Sequence, residues 1–328
     1  MGALISDKFK AWQQECEERF QTLKKNEEEL NCIFIEIYGL QDELTPEVAD
    51  KDITVNRIFR TKEDVPDSMK TDKGALTNYV RLLSDEIKSL ISYSVGCMFG
   101  RYSLDVEGLA YAGGDWDAGK YSTFIPDSDN IILITDEEYM KDEDITSRFV
   151  EFVRTVYGED TLEENLKFVA EALGGKGDSA REIIRGYFLK DFFKDHVRVY
   201  KKRPIYWLFD SGKLNGFKAL IYLHRYNQDT IGKLRIEYLH KMQRTYESEI
   251  NRMRDMIEHS NDTREVSSAQ KRLEKLTKQL KEAKEYDEKI AHLALARIDL
   301  DLDDGVKVNY EKVQTGADGK KYEVLGNI

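Results

Sequence analysis

Two long apolar stripes near the end of the sequence constrain the fold of this chain most strongly. Between residues 231 and 294, apolar side chains recur at steps of three and four, which is typical of amphipathic helices. The sequence Ser260-Asn-Asp-Thr263 interrupts the pattern and offers N-cap residues for a second helix. Because a short turn separates two stripes of similar length, residues 228–300 are predicted to form a long antiparallel helical hairpin. The spacing of the second stripe is close to that of a coiled coil.

The segment 194–226 combines basic and aromatic side chains directly before this helical hairpin. Residues 205–209 and 217–223 are predicted strands, joined by a turn from Asp210 to Gly216. A basic and aromatic β-hairpin is typical of a surface that faces nucleic acid. It is equally typical of a sheet with a solvated basic edge, and the residues alone leave both interpretations open. The candidate DNA-binding residues are Arg198, Lys201, Lys202, Arg203, Tyr206, Trp207, Lys213, Lys218 and Arg225.

The residues of this segment have different expected roles. Lys201, Lys202 and Arg203 are adjacent and are expected to contact phosphates. Tyr206 and Trp207 are neighbours in a predicted strand, and successive side chains of a strand point to opposite faces. We therefore expect at most one of the two rings to face DNA, while the other lies in the core.

The rest of the sequence contains further helical periods and few strand patterns. Helices are predicted over residues 6–38, 72–101, 145–157, 162–173 and 179–195. A short buried strand is predicted over 130–135, and the glycine- and aromatic-rich residues 108–126 indicate a loop with short strand pieces. The chain is therefore predicted to be α+β and predominantly helical. Its expected parts are a helical N-terminal part (1–103), a mixed α+β part ending in the aromatic–basic hairpin (104–227), the helical hairpin (228–300), and a C-terminal tail (301–328) in which 306–310 and 321–325 form a small β-hairpin.

Charge is divided between two segments of the chain. The formal net charge of −12 excludes a global basic field that would attract nucleic acid. Residues 190–254 contain 15 Lys and Arg against 7 Asp and Glu, whereas residues 136–171 contain 4 against 12. A basic and an acidic surface on one chain fit a protein that meets two partners, although solvated helix faces also produce this pattern. The acidic segment is the candidate docking site for another protein.

The sequence contains no motif for catalysis or for metal binding. Its four prolines are never adjacent, so it lacks the [NDS]PP[YFW] loop of enzymes that methylate exocyclic amines. The five histidines are scattered, and His224 and His240 are too far apart to bind a metal from one helix turn. Three distant cysteines indicate reduced thiols in the cytoplasm, and no apolar run approaches the roughly 18 residues of a membrane span. We predict no catalytic residue, metal site or cofactor site, and no membrane contact.

Several long segments of the sequence resemble one protein family. They are NEEELNCIFIEIYGLQDELTPEV at 26–48, ISYSVGCMFGRYSLD at 91–105, LKDFFKDHVRVYKKRPIYWLFDSGKLNGFKALIYLHRY at 189–226 and LDLDDGVKVNYEKVQ at 300–314. The family is the PglX adenine-specific DNA methyltransferases of bacteriophage-exclusion (BREX) systems, which are related to fused methylase-specificity restriction proteins. The resemblance covers nearly the whole chain, in order, and corresponds to the C-terminal region of the family.

This resemblance implies a role in DNA methylation without the catalytic step. The family's S-adenosylmethionine fold and NPPY-type loop lie upstream of this region, so the cofactor is expected in the parent enzyme and not in this chain. The parent is expected to methylate adenine N6 at a specific DNA site in anti-phage defence. For this chain the resemblance implies a target-recognition and scaffold region that contacts double-stranded DNA and the upstream methyltransferase domain. The alternative is an interaction module that docks the methyltransferase to other BREX proteins, through the acidic residues 136–171.

Overall fold

A computed structural model describes residues 2–140 and 143–328 and confirms an α+β, predominantly helical fold, with 57% of residues in helices. Two π-helical segments, Phe188–Phe192 and Leu234–Leu239, continue helices without a break. The main helices are α1 (Ile5–Tyr38), α2 (Leu83–Met98), α3 (Ile145–Tyr157), α4 (Leu162–Leu173), α5 (Ala180–Tyr187), α6 (Phe193–Val199), α7 (Thr230–Lys233), α8 (His240–His259), α9 (Thr263–Ala296) and α10 (Val306–Lys312). The strands are β1 (Arg57–Phe59), β2 (Val80–Leu82), β3 (Ile132–Leu133), β4 (Tyr206–Asp210) and β5 (Lys218–Tyr222).

The chain forms two compact units, and each unit is built from two segments of the sequence. The first unit contains the chain up to Ser92 together with Val153–Gly174, and the second contains Tyr93–Phe152 together with Gly175–Ile328. The four-part division expected from the sequence stays a prediction about domain organisation. Among the described residues, none of the helices has both the length and the apolar character that a membrane crossing requires.

The first unit is organised around the N-terminal half of α1. Phe20 is fully buried in a cluster with Ile53, Val65 and Met69. The guanidinium of Arg57 lies 4.5 Å from the centre of the Phe20 ring and donates hydrogen bonds to the Glu17 carboxylate at 2.6 and 2.9 Å. Burial of the apolar stripe of α1 therefore provides the core, as its helical period predicts.

The helix predicted over residues 72–101 is shorter than expected. Residues 80–82 form the strand β2, which pairs in parallel with β1, and α2 begins only at Leu83. The physical reason is a cap: the Asp85 carboxylate accepts a hydrogen bond from the backbone N–H of Leu82 at 3.0 Å. A side chain at the third helical position that accepts from the N-cap amide fixes the start of a helix.

The C-terminal half of α1 leaves an apolar stripe exposed. Leu30, Ile33, Phe34 and Ile37 are between 46% and 68% exposed, and their spacing places them on one face of the helix. We call these four residues the α1 stripe. A different side of this half is covered by residues 46–48: Pro46 accepts a hydrogen bond from the amide of Asn31, and Val48 donates one to Glu28.

The second unit contains a three-stranded antiparallel sheet in the order β3–β5–β4. The predicted β-hairpin is confirmed as β4 and β5, and the short strand predicted over 130–135 is β3 at Ile132–Leu133. One face of the sheet packs on the helical hairpin formed by α7, α8 and α9. Phe217 of the sheet and Leu276 of α9, for example, belong to one buried cluster. The long antiparallel helical hairpin predicted from the two stripes is therefore confirmed.

The turn between β4 and β5 docks on α9 through the side chains of Glu282 and Gln279, and the Gln279 amide donates to the carbonyl of Leu214 at 3.1 Å. Glu282 accepts hydrogen bonds from the Ser211 hydroxyl (2.7 Å) and from the backbone N–H groups of Leu214 (3.0 Å) and Gly216 (2.9 Å). A Cβ atom at Gly216 would lie 2.5 Å from the carbonyl oxygen of Gln279. The turn approaches the helix so closely that only glycine fits at this position.

The β-hairpin expected in the C-terminal tail from 306–310 and 321–325 is wrong, since the second segment makes only isolated bridges, to Thr315 and Phe209. Val306–Lys312 is the helix α10, although its sequence alternates like a strand. Packing decides between the two periods, because Asn309, Tyr310 and Val313 are all buried at helical spacing. The last residues cover the free edge of β4, where Asp210 donates a backbone hydrogen bond to Val324 and Gly326 donates one to Leu208.

Candidate nucleic-acid interface

A tight turn after α6 carries the cluster of basic residues that the sequence predicts to contact DNA. Lys201 and Lys202 both adopt left-handed backbone conformations, with φ of 48° and 62°. For residues other than glycine, this backbone conformation costs about 1–2 kcal/mol per residue, because the Cβ atom crowds the following carbonyl oxygen. The N–H of Lys202 donates a hydrogen bond to the carbonyl of Val197 at 2.8 Å and closes the turn. We call residues 198–203 the basic turn.

The cations of the basic turn are exposed and mostly lack counter-charges. Lys201, Lys202 and Arg203 are exposed, and within residues 2–140 and 143–328 none of them forms an ion pair. The side chain of Arg198 is 71% exposed and pairs with Asp195 at 2.8 Å. Such an exposed pair contributes little to stability, so Arg198 can exchange it for another anion. Four cations therefore lie close together in sequence, Arg198 at the end of α6 and the other three in the turn after it, and are available to an anionic partner.

Both aromatic residues predicted at this surface lie in the core instead. Tyr206 and Trp207 are 1% and 0% exposed, so the expectation that one ring could face DNA is not met. Tyr206 stacks on Phe99 with ring centres 5.4 Å apart, and Trp207 meets Tyr310 edge-on at 5.2 Å. The two rings do point to opposite faces of the sheet, as predicted. Both faces are covered by other elements, so neither ring reaches solvent.

The three remaining candidate cations are separated from the basic turn or occupied. Lys213 is exposed in the turn between β4 and β5, at the opposite end of the β-hairpin from residues 198–203. Lys218 is bound to Asp210 at 2.6 Å and its side chain is only 10% exposed. Arg225 donates to the backbone carbonyls of Asp127 (2.7 Å) and Ser128 (3.1 Å), which is a structural role. The structure brings together Arg198, Lys201, Lys202 and Arg203.

Arg101 lies near the basic turn and was not among the predicted residues. Its guanidinium donates to the Tyr222 hydroxyl at 3.4 Å and lies 5.4 Å from the centre of the Tyr102 ring. Its Nε–H group is buried and has no hydrogen-bond partner among the described residues. The hydroxyl of Tyr200, which belongs to the basic turn, also acts electrostatically on Arg101. We call Arg101, Tyr102, Tyr200 and Tyr222 the Arg101 cluster.

Two neutral histidines accompany the Arg101 cluster. Burial, with a smaller contribution from the charge of Arg101, lowers the pKa of His196 to about 3. The same two causes lower the pKa of His224, whose ring lies 4.9 Å from that of Tyr222. Both rings are therefore uncharged at neutral pH and do not compete with Arg101 for an anion.

An irregular loop beside the cluster is held by specific contacts. The Asp105 carboxylate accepts hydrogen bonds from the Thr123 hydroxyl and from the backbone N–H groups of Thr123 (2.9 Å) and Ser122 (2.7 Å), and these bonds, first of all that of the hydroxyl, lower the pKa of Asp105. Trp116 stacks on Tyr121 with ring centres 4.9 Å apart, and the guanidinium of Arg225 lies 4.3 Å from the Trp116 ring. The loop predicted over 108–126 is confirmed and is held by these contacts, but its described residues form no strand pieces, and Ala118–Lys120 is a short 3-10 helix.

Within the second unit, four carboxylates at the start of the acidic segment 136–171 form ion pairs. Asp136 pairs with Lys275 at 2.7 Å, and Glu143 pairs with Lys241 at 2.5 Å. Further ion pairs join Glu137 to Arg272 and Asp144 to Arg185. Residues 141 and 142 of this segment lie outside the described residues. The part of the acidic segment before α3 therefore attaches the helical hairpin and α5 to the sheet, and much of its charge is not available to a partner.

The described residues contain neither a group of metal ligands nor a doubly wound parallel sheet. Among residues 2–140 and 143–328, no group of three His, Cys, Asp or Glu side chains could hold a metal ion. The two sheets in this part of the chain are a two-stranded parallel pair and a three-stranded antiparallel sheet. Neither is the open parallel sheet with a glycine-rich turn on which nucleotide cofactors bind in doubly wound folds.

Comparisons with known proteins find two relatives that are named adenine-specific methyltransferases. No protein-family model matches it. The chain is 50% identical over 308 residues to the adenine-specific methyltransferase PglX of Lacticaseibacillus casei (strain Zhang), with 93% of the chain and 24% of the relative covered. It is 42% identical over 306 residues to the adenine-specific methyltransferase BrxX of Escherichia coli O9:H4 (strain HS), with 89% and 25% covered.

The chain spans about a quarter of the length of the curated relatives that it matches. It is homologous to the C-terminal quarter of adenine-specific methyltransferases. In particular, it is the counterpart of that region in PglX and BrxX, which confirms the resemblance found in the sequence.

Proposed function

We propose that this chain is the DNA target-recognition and scaffold region of a site-specific DNA adenine N6-methyltransferase used in anti-phage defence. The observation that carries the proposal is the basic turn, where Lys201, Lys202 and Arg203 are exposed on a fixed backbone without ion pairs among the described residues. Lys and Arg side chains held in this way contact phosphates and position a duplex. The helical hairpin behind the sheet is the scaffold, and catalysis with S-adenosylmethionine belongs to another part of the enzyme.

The proposal is tested by the salt dependence of binding to duplex DNA. Each phosphate contact adds about 0.9 to the negative slope of log affinity against log salt concentration. Changing Lys201, Lys202 and Arg203 to Ala should flatten the slope by up to three such contacts and weaken binding to all sequences alike. The matched control changes the exposed Lys271, Lys289 and Lys307 to Ala, which removes the same charge from other elements. Equal slopes for the two triple variants would contradict the proposal.

A second candidate function is an interaction module for another defence protein, and the exposed α1 stripe favours it. Residues 26–44 contain six Asp and Glu and no Lys or Arg, so the stripe lies in a strongly acidic setting. A second copy of this surface would be repelled by its own charge, whereas an amphipathic helix with Lys or Arg beside its apolar face is complementary. The proposed partner surface is therefore a basic amphipathic helix, and it meets α1 instead of the acidic residues 136–171.

A designed helical peptide with a Leu stripe and Lys flanks serves as the probe for this candidate. Changing Ile33 and Phe34 to Ser should abolish its binding, while the same change at Gln14 and Gln21, which are exposed on the other half of α1, should not. A peptide with Glu in place of Lys should not bind. Sedimentation that shows self-association through the stripe would contradict this candidate.

A further inference from the structure

Arg101 is a partly buried cation without a carboxylate partner. Within residues 2–140 and 143–328, no Asp or Glu forms an ion pair with it, and its nearest polar neighbours are tyrosine hydroxyls. A guanidinium has five N–H donors in a planar fork, and here it interacts with the hydroxyls of Tyr102 and Tyr222, the latter at a long 3.4 Å. A charge held away from water without a counter-charge is costly, so this arrangement indicates that an anion completes it.

The tyrosines beside Arg101 are arranged to help bind an anion. The hydroxyl of Tyr222 already donates its proton to the carbonyl of Tyr111 at 3.1 Å. The hydroxyls of Tyr102 and Tyr200 donate no hydrogen bond within the described part of the chain, and both side chains are half-buried. Each hydroxyl can therefore accept from the guanidinium and donate to an anion at the same time.

The kind of anion follows from the chemistry of the guanidinium and from its neighbours. Arginine forms paired hydrogen bonds with carboxylates and phosphates alike, and the cations that follow in the basic turn favour the repeated phosphates of a nucleic acid. Tyr200 belongs to the basic turn, so the cluster continues the cationic surface formed by Lys201, Lys202 and Arg203. A phosphate bound at Arg101 would thus be followed by further cations along the same segment.

We propose that Arg101, Tyr102 and Tyr200 form a binding site for a backbone phosphate of duplex DNA. The inference rests on the proposed function and deepens it, because it names the phosphate anchor next to the basic turn. The neutral rings of His196 and His224 line the site without supplying a competing charge. Lys201, Lys202 and Arg203 then contact neighbouring phosphates from solvent, while Arg101 holds one phosphate in a partly dry environment.

The variant Arg101→Gln tests the site on duplex DNA. It should reduce the negative salt slope by about 0.9, which corresponds to one lost phosphate contact, and weaken binding severalfold. Arg101→Lys keeps the charge but not the fork, so it should keep the slope and still lose affinity. The control Arg254→Gln changes an exposed arginine on α8 and should leave both quantities unchanged. An Arg101→Gln variant that is folded, as judged by its melting curve, and binds DNA like the unchanged chain would overturn the inference.

Two further outcomes separate this inference from the proposed function. If the triple Ala variant of the basic turn loses its salt slope and Arg101→Gln does not, the DNA-binding function stands and the Arg101 site fails. If neither variant affects binding, both fail.

Inorganic phosphate provides a test that does not depend on a folded variant. Phosphate at Arg101 offsets the charge that acts on His224, so it should raise the pKa of the His224 ring, followed by NMR. Chloride at equal ionic strength should not. A His224 titration that is identical in phosphate and chloride would also overturn the inference.

Discussion

The Nε2 atom of His196 accepts a hydrogen bond from the backbone N–H of Tyr206 at 3.1 Å, and it accepts a second from Ile205 at the same distance. His196 lies on α6, before the basic turn, and the two amides lie after the turn at the start of β4. One imidazole therefore joins the two ends of the loop that carries the basic residues. It can do so only while Nε2 is unprotonated.

This relationship predicts a loss of stability in mild acid. The pKa of His196 is lowered from 6.5 to about 3 in the folded chain, first by burial and then by Arg101. The unfolded chain therefore binds a proton near pH 6.5 that the folded chain does not, and stability is lost as pH falls from 6.5 towards 3. The expected loss from this group is about 1.4 kcal/mol per pH unit within that window. Urea unfolding between pH 7 and pH 5 measures it.

The variant His196→Gln separates this group from the other titrating residues. Gln offers an oxygen acceptor and does not titrate, so the variant should show a smaller decrease in unfolding free energy between pH 7 and pH 5. His224 adds a contribution of the same sign in both proteins, because its pKa is also lowered by burial. If the unfolding free energies of the two proteins change with pH in parallel, His196 binds its proton equally well in the folded and the unfolded chain, and the prediction is wrong.

The packing of the helical hairpin predicts a sharp contrast between two residues of α9. Leu276 is fully buried, so Leu276→Asp should destabilise the chain by on the order of 3 kcal/mol or more, because a charge replaces an apolar contact. Lys278 is 58% exposed, and Lys278→Ala should stay within about 0.5 kcal/mol. Thermal unfolding compares them, and similar melting temperatures would show that the buried face of α9 is misassigned.

Two glycines in helices should respond to alanine with opposite signs. A Cβ at Gly96 would lie 2.3 Å from the ring of Tyr102, which is itself stacked on Tyr93 with centres 5.2 Å apart. Gly96→Ala should therefore destabilise the chain by about 1–3 kcal/mol. Gly186 in α5 has no atom within 4 Å of an added Cβ, and Gly186→Ala should stabilise by about 0.5–1 kcal/mol. Denaturant unfolding of both variants gives the signs directly.

The chain alone should neither bind S-adenosylmethionine nor methylate DNA. The expectation follows from the absence of a proline-containing catalytic loop in the sequence and of a large parallel sheet in the described residues. Calorimetric titration with the cofactor should give no saturable heat, and an intact adenine-specific methyltransferase serves as the positive control. Tight binding to the isolated chain would refute the division of labour proposed above.

Strong periodicity made some elements predictable from the sequence. The bounds of α3 and α4 agree with those predicted, since each helix has one apolar face and α4 ends at Gly174 in a left-handed conformation. The β-hairpin and helical hairpin were predictable for the same reason. Val80–Leu82 and Val306–Lys312 were not, because a strand partner in the first case and core packing in the second overrule the local pattern.

The candidate site was predictable only in part. Adjacent cations at 201–203 are visible in the sequence, and they stay on the surface because nothing described in the structure pairs with them. The burial of Tyr206 and Trp207 depends on elements distant in sequence, namely Phe99 and Tyr310. The sequence gives little reason to single out Arg101, apart from its position directly after Gly100. Its tyrosine neighbours come from three separate segments, so only the folded chain brings them together.

The exposed end of α1 also determines where this chain can be labelled. Of the three cysteines, Cys16 and Cys97 are buried, and burial raises the pKa of the Cys97 thiol to about 11. Cys32 is exposed and lies within the same two helical turns as the α1 stripe. It is two residues from both Leu30 and Phe34, and a step of two residues turns about 200° around a helix, so Cys32 points away from them. A maleimide dye will therefore react with the natural chain at one thiol, beside the apolar surface and without covering it.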